Sequence, residues 1–373
     1  MWPTGNAVPV LAFFCACHAT LCFVWREAEN RSVLLCLSLS PVFLRYYFML
    51  FTSFFMRRMS FTLPRHVIWE SEGLVAYLHP RPWTPGSVIL ERSSSGSPGG
   101  GSIFHLPESE YLSWLLGARA VAELLCDRLR VRRCALVSRR HRDRPAQIHV
   151  LPLHGLDAEW RPHLAGEEEH NTFDPGFCTS KTAPRWSDAS MTEIQAKIRA
   201  KLPSPNAPPN LTFLGDDPAD PGLFSRIVRG EEQHWRVWED RAHVAFLTPF
   251  PNSPGFTVLV PRRPLTSDIF RLVKEDYEAL VQAARKAAQL LEESLGASDV
   301  GLIFEGFEID YAHAKLIPLF LPSSSSSSEA GIKSSEPRTP QFYPTYPGYV
   351  TSEDGPEASL ESLKEIHAKI IQI

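Results

Sequence analysis

Apolar residues recur at three- and four-residue spacing over residues 108–130 (ESEYLSWLLGARAVAELLCDRLR) and again over 275–295 (EDYEALVQAARKAAQLLEESL). That period predicts two amphipathic helices. Glu275 and Asp276, at the start of the second, suit the positive end of the helix dipole. A short apolar run follows each helix, CALVS at 134–138 and VGLIFEG at 300–306, and each reads as a strand. Ahead of each helix stand two further runs of strand character joined by a Pro-rich turn. Later in each half comes a strand ending in a hydrophobic-Pro-Leu step, over 147–153 and 313–319. The expected class is α+β.

The pattern occurs twice because the sequence repeats. Residues 69–86 (WESEGLVAYLHPRPWTPG) and 238–255 (WEDRAHVAFLTPFPNSPG) share nine of eighteen positions, ungapped, at an offset of 169. The strands at 147–153 and 313–319 stand 166 apart, and PGFCTSKTAP at 175–184 stands 172 before PGYVTSEDGP at 347–356. Two loop insertions accompany these slips, SSSGSPGGG at 93–101 and the serine run at 323–328. Ordered similarity of this kind points to duplication. The organisation expected is an apolar extension over 1–58, a first domain over 66–202, a linker over 203–221 and a second domain over 222–373. The linker is too rich in proline for a continuous helix. Its sequon at Asn210 matters only on an extracellular face.

The leading tract is apolar over 8–25 and again over 33–56, broken by Arg45. About 18–20 apolar residues can cross a bilayer, so one reading is a membrane-spanning hairpin within 8–56. The other is an upstream extension foreign to the mature protein, since Met59 leads straight into the first domain. No basic residue precedes the first apolar run, which argues against a secretory signal. A net charge of −4 gives no pull toward nucleic acid. The basic stretch 128–144 lacks the interleaved aromatics of a nucleic-acid surface. Seven cysteines form no Cys-x-x-Cys pair, so neither a zinc site nor a redox motif is expected, and the reading calls for no metal and no cofactor. The default is a reduced, cytoplasmic protein, anchored to a membrane if the leading tract belongs to it. His163 and His170, around Glu167–Glu169, read as solvated surface.

Residues 223–262 (LFSRIVRGEEQHWRVWEDRAHVAFLTPFPNSPGFTVLVPR) resemble the opening helix, Gly-Glu turn and first strands of the histidine-triad (HIT) family. YAHAKLIP at 311–318 falls where that family has alternating histidines before a hydrophobic-Pro step. LIPL followed by YPGYVTSEDGP is similar to a microbial branch of the superfamily, and LPLHGLDAEW and FDPGFCTSKTAPRW in the first copy fit it too. The resemblance spans about residues 66–202 and 222–373. It implies two HIT-like domains, each an antiparallel sheet with helices, fused so that one chain reproduces a dimer and is itself a monomer.

The resemblance also implies chemistry. In the family the middle histidine attacks the α-phosphate of a nucleotide, and water or another acceptor resolves the nucleotidyl-imidazole. Carried over, His313 is the nucleophile and projects into a pocket shaped for a phosphoester. Alternation along a strand puts Tyr311 and Lys315 on the same face, with Ala312, Ala314 and Leu316 turned into the core. Tyr311 can hydrogen-bond, and Lys315 can neutralise phosphoryl charge but is a poor acid at neutral pH. Nucleotide-binding positions are Thr248, Asn252, Gly306 and Glu308, the last a repulsive neighbour for phosphate unless Lys315 pairs with it. In the first copy Pro145, Gln147 and His149 take the triad positions, and a glutamine cannot be the nucleophile. The expected partner is a nucleotide or other phosphorylated small molecule. The expected activity is that of a nucleotidyl or phosphoryl hydrolase or transferase, of the nucleoside phosphoramidase or dinucleoside polyphosphate hydrolase kind, and the competing reading is an inactive nucleotide-binding or scaffold protein.

Overall fold

The computed structural model describes residues 65–93, 101–140, 145–322 and 338–372, together with three strands of the leading segment. Those are β1 (Val8–Cys15), β2 (Thr20–Arg26) and β3 (Ser32–Ser38), paired antiparallel in that order. They belong to a unit of their own, Met1–Pro64, distinct from the unit Arg65–Ile373. Where the apolar tract over 8–56 is described, its residues are in strands. No helix among the described residues is long and apolar enough to cross a membrane.

In the larger unit the first half runs β4 (Val67–Ser71), β5 (Leu74–Leu78), β6 (Val88–Arg92), α1 (Glu108–Leu129), β7 (Arg133–Ser138), β8 (Ile148–Leu153) and α2 (Asp188–Arg199). The second half adds a short opening helix, α3 (Leu223–Arg229), and then repeats the series. Its elements are β9 (Trp235–Glu239), β10 (His243–Leu247), β11 (Thr257–Pro261), α4 (Lys274–Leu295), β12 (Asp299–Phe304), β13 (Ala314–Leu319) and α5 (Leu360–Ile371). Helices α1 and α4 are each 22 residues long, and α2 and α5 are each 12. Even the caps repeat. Ser187 accepts from the Ser190 amide at the start of α2, and Ser359 accepts from the Ser362 amide at the start of α5.

All ten strands form one antiparallel sheet in the order β4-β5-β6-β8-β7-β12-β13-β11-β10-β9. Read from either end, the order visits equivalent strands. At its centre Val137 of β7 faces Ile303 of β12, and these are equivalent positions at the offset of 166. A residue opposite its own counterpart marks a local twofold relation, the isologous geometry of symmetric dimers. Strand register repeats as well: Val88 faces Val150 as Thr257 faces Leu316, and Ile89 faces His149 as Val258 faces Lys315.

One face of the sheet carries the four long helices. Its core gathers Leu90, Leu115, Leu136 and Val150 with Leu259, Leu280, Leu302 and Leu316. The other face is covered by α3 and by the chain that follows β8 and β13, and these two following segments are exchanged between the halves. Asp174 N–H donates to the Phe320 carbonyl at 2.7 Å, while Tyr346 N–H donates to the His154 carbonyl at 2.9 Å. Trp186 N–H reaches the Pro249 carbonyl and Ala358 N–H the Pro80 carbonyl, both at 2.9 Å. Helix α2 consequently packs on β9 and α5 on β4, each closing helix lying against the opposite half. The linker lies along the second half, where the Asn210 carbonyl accepts from Arg236 and Arg262, both at 2.7 Å. Arg262, fully buried, also bonds Glu239 at 2.7 Å, so the ion pair and the linker carbonyl together satisfy a charge that burial alone would penalise.

Candidate functional site

The period-two expectation holds at the triad. Ala312, Ala314 and Leu316 enter the helix-side core, and Tyr311 enters the cluster on the opposite face. His313 and Lys315 follow Tyr311, and both are buried. His313 Nδ1 lies 2.7 Å from the carbonyl oxygen of Tyr311. A carbonyl only accepts, so Nδ1 carries the proton and Nε2 carries the lone pair in the neutral ring. Burial, and then the nearby Lys315 ammonium, push the imidazole pKa below its ordinary value. The ring is neutral at pH 7, the form in which it is a nucleophile.

Lys315 is held between two carboxylates, Glu305 at 3.1 Å and Glu308 at 3.2 Å. Those partners outweigh the desolvation that would otherwise depress its pKa, which is raised instead. Glu308 is held below the usual carboxylate range, chiefly by Lys315. Glu305 accepts further bonds from Ser180 at 3.0 Å and Tyr346 at 2.5 Å. Ser180 comes from the first half's exchanged segment, so both halves build the network. With two carboxylates against one ammonium, the cluster carries about one net negative charge when both acids are ionised. Sequence reasoning foresaw the Glu308–Lys315 pair but missed Glu305, Ser180 and Tyr346. Glu305 was detectable as an acid closing an otherwise apolar strand. The other two sit in Pro-Gly segments whose partners are fixed only by the exchange.

The remaining expected positions serve local structure. Tyr311 donates its hydroxyl to the Pro261 carbonyl at 2.9 Å. The Asn252 amide donates to the carbonyls of Thr179 at 2.8 Å and Lys181 at 2.7 Å, which holds the first half's segment in place. Thr248 Oγ1 accepts from the Phe250 amide at 3.2 Å. Gly306 has φ of +82°, and a Cβ there would stand 2.5 Å from the Ser267 carbonyl oxygen, so the turn before Glu308 requires glycine. In the first half Gln147 donates to Glu91 at 2.8 Å, and His149 lies 5.2 Å from His79, ring to ring.

The pocket expected at His313 is closed. The Phe224 ring of α3 stands 5.5 Å from the imidazole, edge to face, and also touches Phe246 and Tyr311. Cavities of about 920 Å³, lined by Arg133, Trp160 and Phe307, and about 700 Å³, lined by Trp83, Tyr343 and Tyr349, lie elsewhere. His313 lines neither.

No family model matches the chain. Among curated proteins it is similar to a 13.1 kDa HIT-like protein of Mesomycoplasma hyorhinis, 27% identical over 103 residues, covering 26% of this chain and 92% of that protein. Among solved structures it is similar to SMU.412c of Streptococcus mutans UA159, at 24% identity and a TM-score of 0.26, over 28% of this chain and 69% of that one. It is also similar to a uridylyltransferase, at 12% identity and a TM-score of 0.39, over 81% of this chain and 86% of that one. Neither structural likeness is close enough to carry an argument about activity. In sequence, over 103 residues, the chain resembles a HIT-like protein, and its own architecture is α+β.

Proposed function

We propose that the protein binds a nucleotide or related phosphoester against the second half of the sheet, with the Phe224 ring swung aside so that His313 meets the phosphorus. The observation that supports this is the bond from His313 Nδ1–H to the Tyr311 carbonyl, which leaves Nε2 as the nucleophilic nitrogen of a neutral ring. In the reaction, Nε2 forms a bond to the α-phosphorus as the bond to the leaving group breaks and its electron pair departs with that group. Water then cleaves the N–P bond and regenerates the imidazole. Nucleoside phosphoramidates and dinucleoside polyphosphates are the substrate classes, no cofactor is needed, and the setting is the reducing cytoplasm. The first half, with Gln147 at the nucleophile position, is architectural, and the pair forms a pseudo-dimer within a monomer.

The Glu305–Lys315–Glu308 cluster favours a second reading, nucleotide binding without turnover, because its ammonium is already committed. AMP release from adenosine phosphoramidate and from diadenosine polyphosphates, compared between wild type and His313→Ala, separates the two. Catalysis through His313 predicts a loss of about a thousandfold or more. Equal turnover in both proteins removes His313 from the mechanism. Absent turnover with a thermal shift from AMP or GMP supports the second reading, and no shift from either leaves no nucleotide role.

A further inference from the structure

We infer that Cys126 and Cys134 form an oxidisable dithiol, closed to an intramolecular disulfide by a peroxide that enters through the cavity Cys126 lines. Cys126 lies in the last turns of α1 and Cys134 near the start of β7. They meet because Arg130 caps the helix in the left-handed region, φ 58°, and the chain turns back along it. The sulfurs stand 3.8 Å apart, in contact, and a further approach of roughly 2 Å separates them from a disulfide bond length.

The two thiols are unequal in the way such a pair needs. Cys134 is buried and its S–H also reaches the Ala122 carbonyl at 3.6 Å. Cys126 is half-buried and lines the cavity of about 920 Å³ beside Arg130, Asp268 and Arg271. The hydrogen bond from Cys134 holds the Cys126 thiol below its ordinary pKa, whereas burial pushes Cys134 well up. The more acidic, reachable sulfur attacks and the buried one resolves. By contrast Cys178 is buried, and burial pushes its thiol up to about 12. At the offset of 166, Glu292 and Val300 occupy the equivalent places in the second half, so the pair belongs to the first half alone.

The chemistry balances with hydrogen peroxide as oxidant. The Cys126 thiolate attacks one peroxide oxygen and the O–O bond breaks. With one proton taken up, this gives the sulfenic acid and water. The Cys134 sulfur then attacks the Cys126 sulfur, and its proton leaves with the hydroxyl as a second water. Two sulfurs lose one electron each and the peroxide gains two.

The test treats the full native chain with a few equivalents of hydrogen peroxide, blocks free thiols with iodoacetamide and maps the digested peptides by mass. The expected product links the Cys126 and Cys134 peptides with loss of two hydrogens, is reversed by dithiothreitol, and leaves Cys178 alkylated only after unfolding. In Cys134→Ser, dimedone should label Cys126 at least about tenfold more than in wild type, because the sulfenic acid has no resolving partner. Recovery of Cys126 as free thiol or as sulfinic acid, with Cys134 unlinked, overturns the inference. So does a bridge from Cys126 to one of the cysteines at 15, 17, 22 or 36.

Discussion

Tyr111 and Tyr277, equivalent residues of the two halves, exchange hydrogen bonds across the centre of the molecule. The Tyr111 hydroxyl donates to the Val281 carbonyl at 2.9 Å, and the Tyr277 hydroxyl donates to the Leu115 carbonyl at 2.7 Å. Both rings are fully buried. Burial pushes both phenols above their ordinary pKa, so both remain donors across the working range of pH. Since each carbonyl lies on the opposite helix, the two bonds pin α1 to α4.

Removing either hydroxyl deletes a buried hydrogen bond and leaves the helix carbonyl only its intrahelical partner. Tyr111→Phe and Tyr277→Phe should each lower unfolding stability by about 1–2 kcal/mol. The near-equivalence of the two environments should make the losses similar. Urea unfolding measures both, and a loss from only one variant would break the equivalence.

Lys315 offers a sharper contrast. Lys315→Met leaves Glu305 buried opposite an apolar chain and should cost about 3 kcal/mol at pH 7, while adding Glu305→Gln should recover much of it. The depressed pKa of Glu308 means its contribution is complete above the ordinary carboxylate value, about 4.3, and is lost as pH falls through its lower folded value. Denaturation of wild type and Lys315→Met between pH 3 and 7 should therefore converge at the acid end.

Asp299 runs the other way. Burial raises its carboxyl to about 6 against the opposing pull of the Arg140 amide and the Ser102 hydroxyl. With a folded pKa above the unfolded one, its favourable contribution is full below about pH 4 and is lost as pH rises through about 6. Asp299→Asn keeps an acceptor for the Arg140 amide and removes the charge. It should stabilise the protein by about 2 kcal/mol at pH 7 and by almost nothing at pH 4. Thermal unfolding at the two pH values decides it.

Phe224 is the roof over His313. Phe224→Ala should cost about 3 kcal/mol in stability and speed carbethoxylation of His313 by diethyl pyrocarbonate about tenfold, read by peptide mass. An unchanged rate would mean that something other than the Phe224 ring limits access.

Much of this was legible in the sequence. The helices expected at 108–130 and 275–295 are Glu108–Leu129 and Lys274–Leu295, because three- and four-residue apolar spacing survives in any packing that buries one stripe. The alternation at 311–316 was equally plain, since a strand leaves it no other form. Three features were hidden. Phe224 is an ordinary apolar residue of a short helix, and nothing local says which strand it will cover. Ser180 reaches Glu305 across 125 positions, a contact set by the exchange and not by spacing. Residues 8–25 are apolar enough for a membrane helix, yet Val8–Cys15 and Thr20–Arg26 are strands. Continuous apolarity does not distinguish the two where β-branched and aromatic residues abound.

The crossed closing segments carry a practical consequence for anyone who would divide this molecule. Scission in the linker would give one fragment holding α2 without the strand it rests on, and another holding α5 in the same plight. Neither piece alone would keep that contact. Only the joined chain keeps both crossed contacts within one molecule, where the mating of its parts is intramolecular and indifferent to dilution.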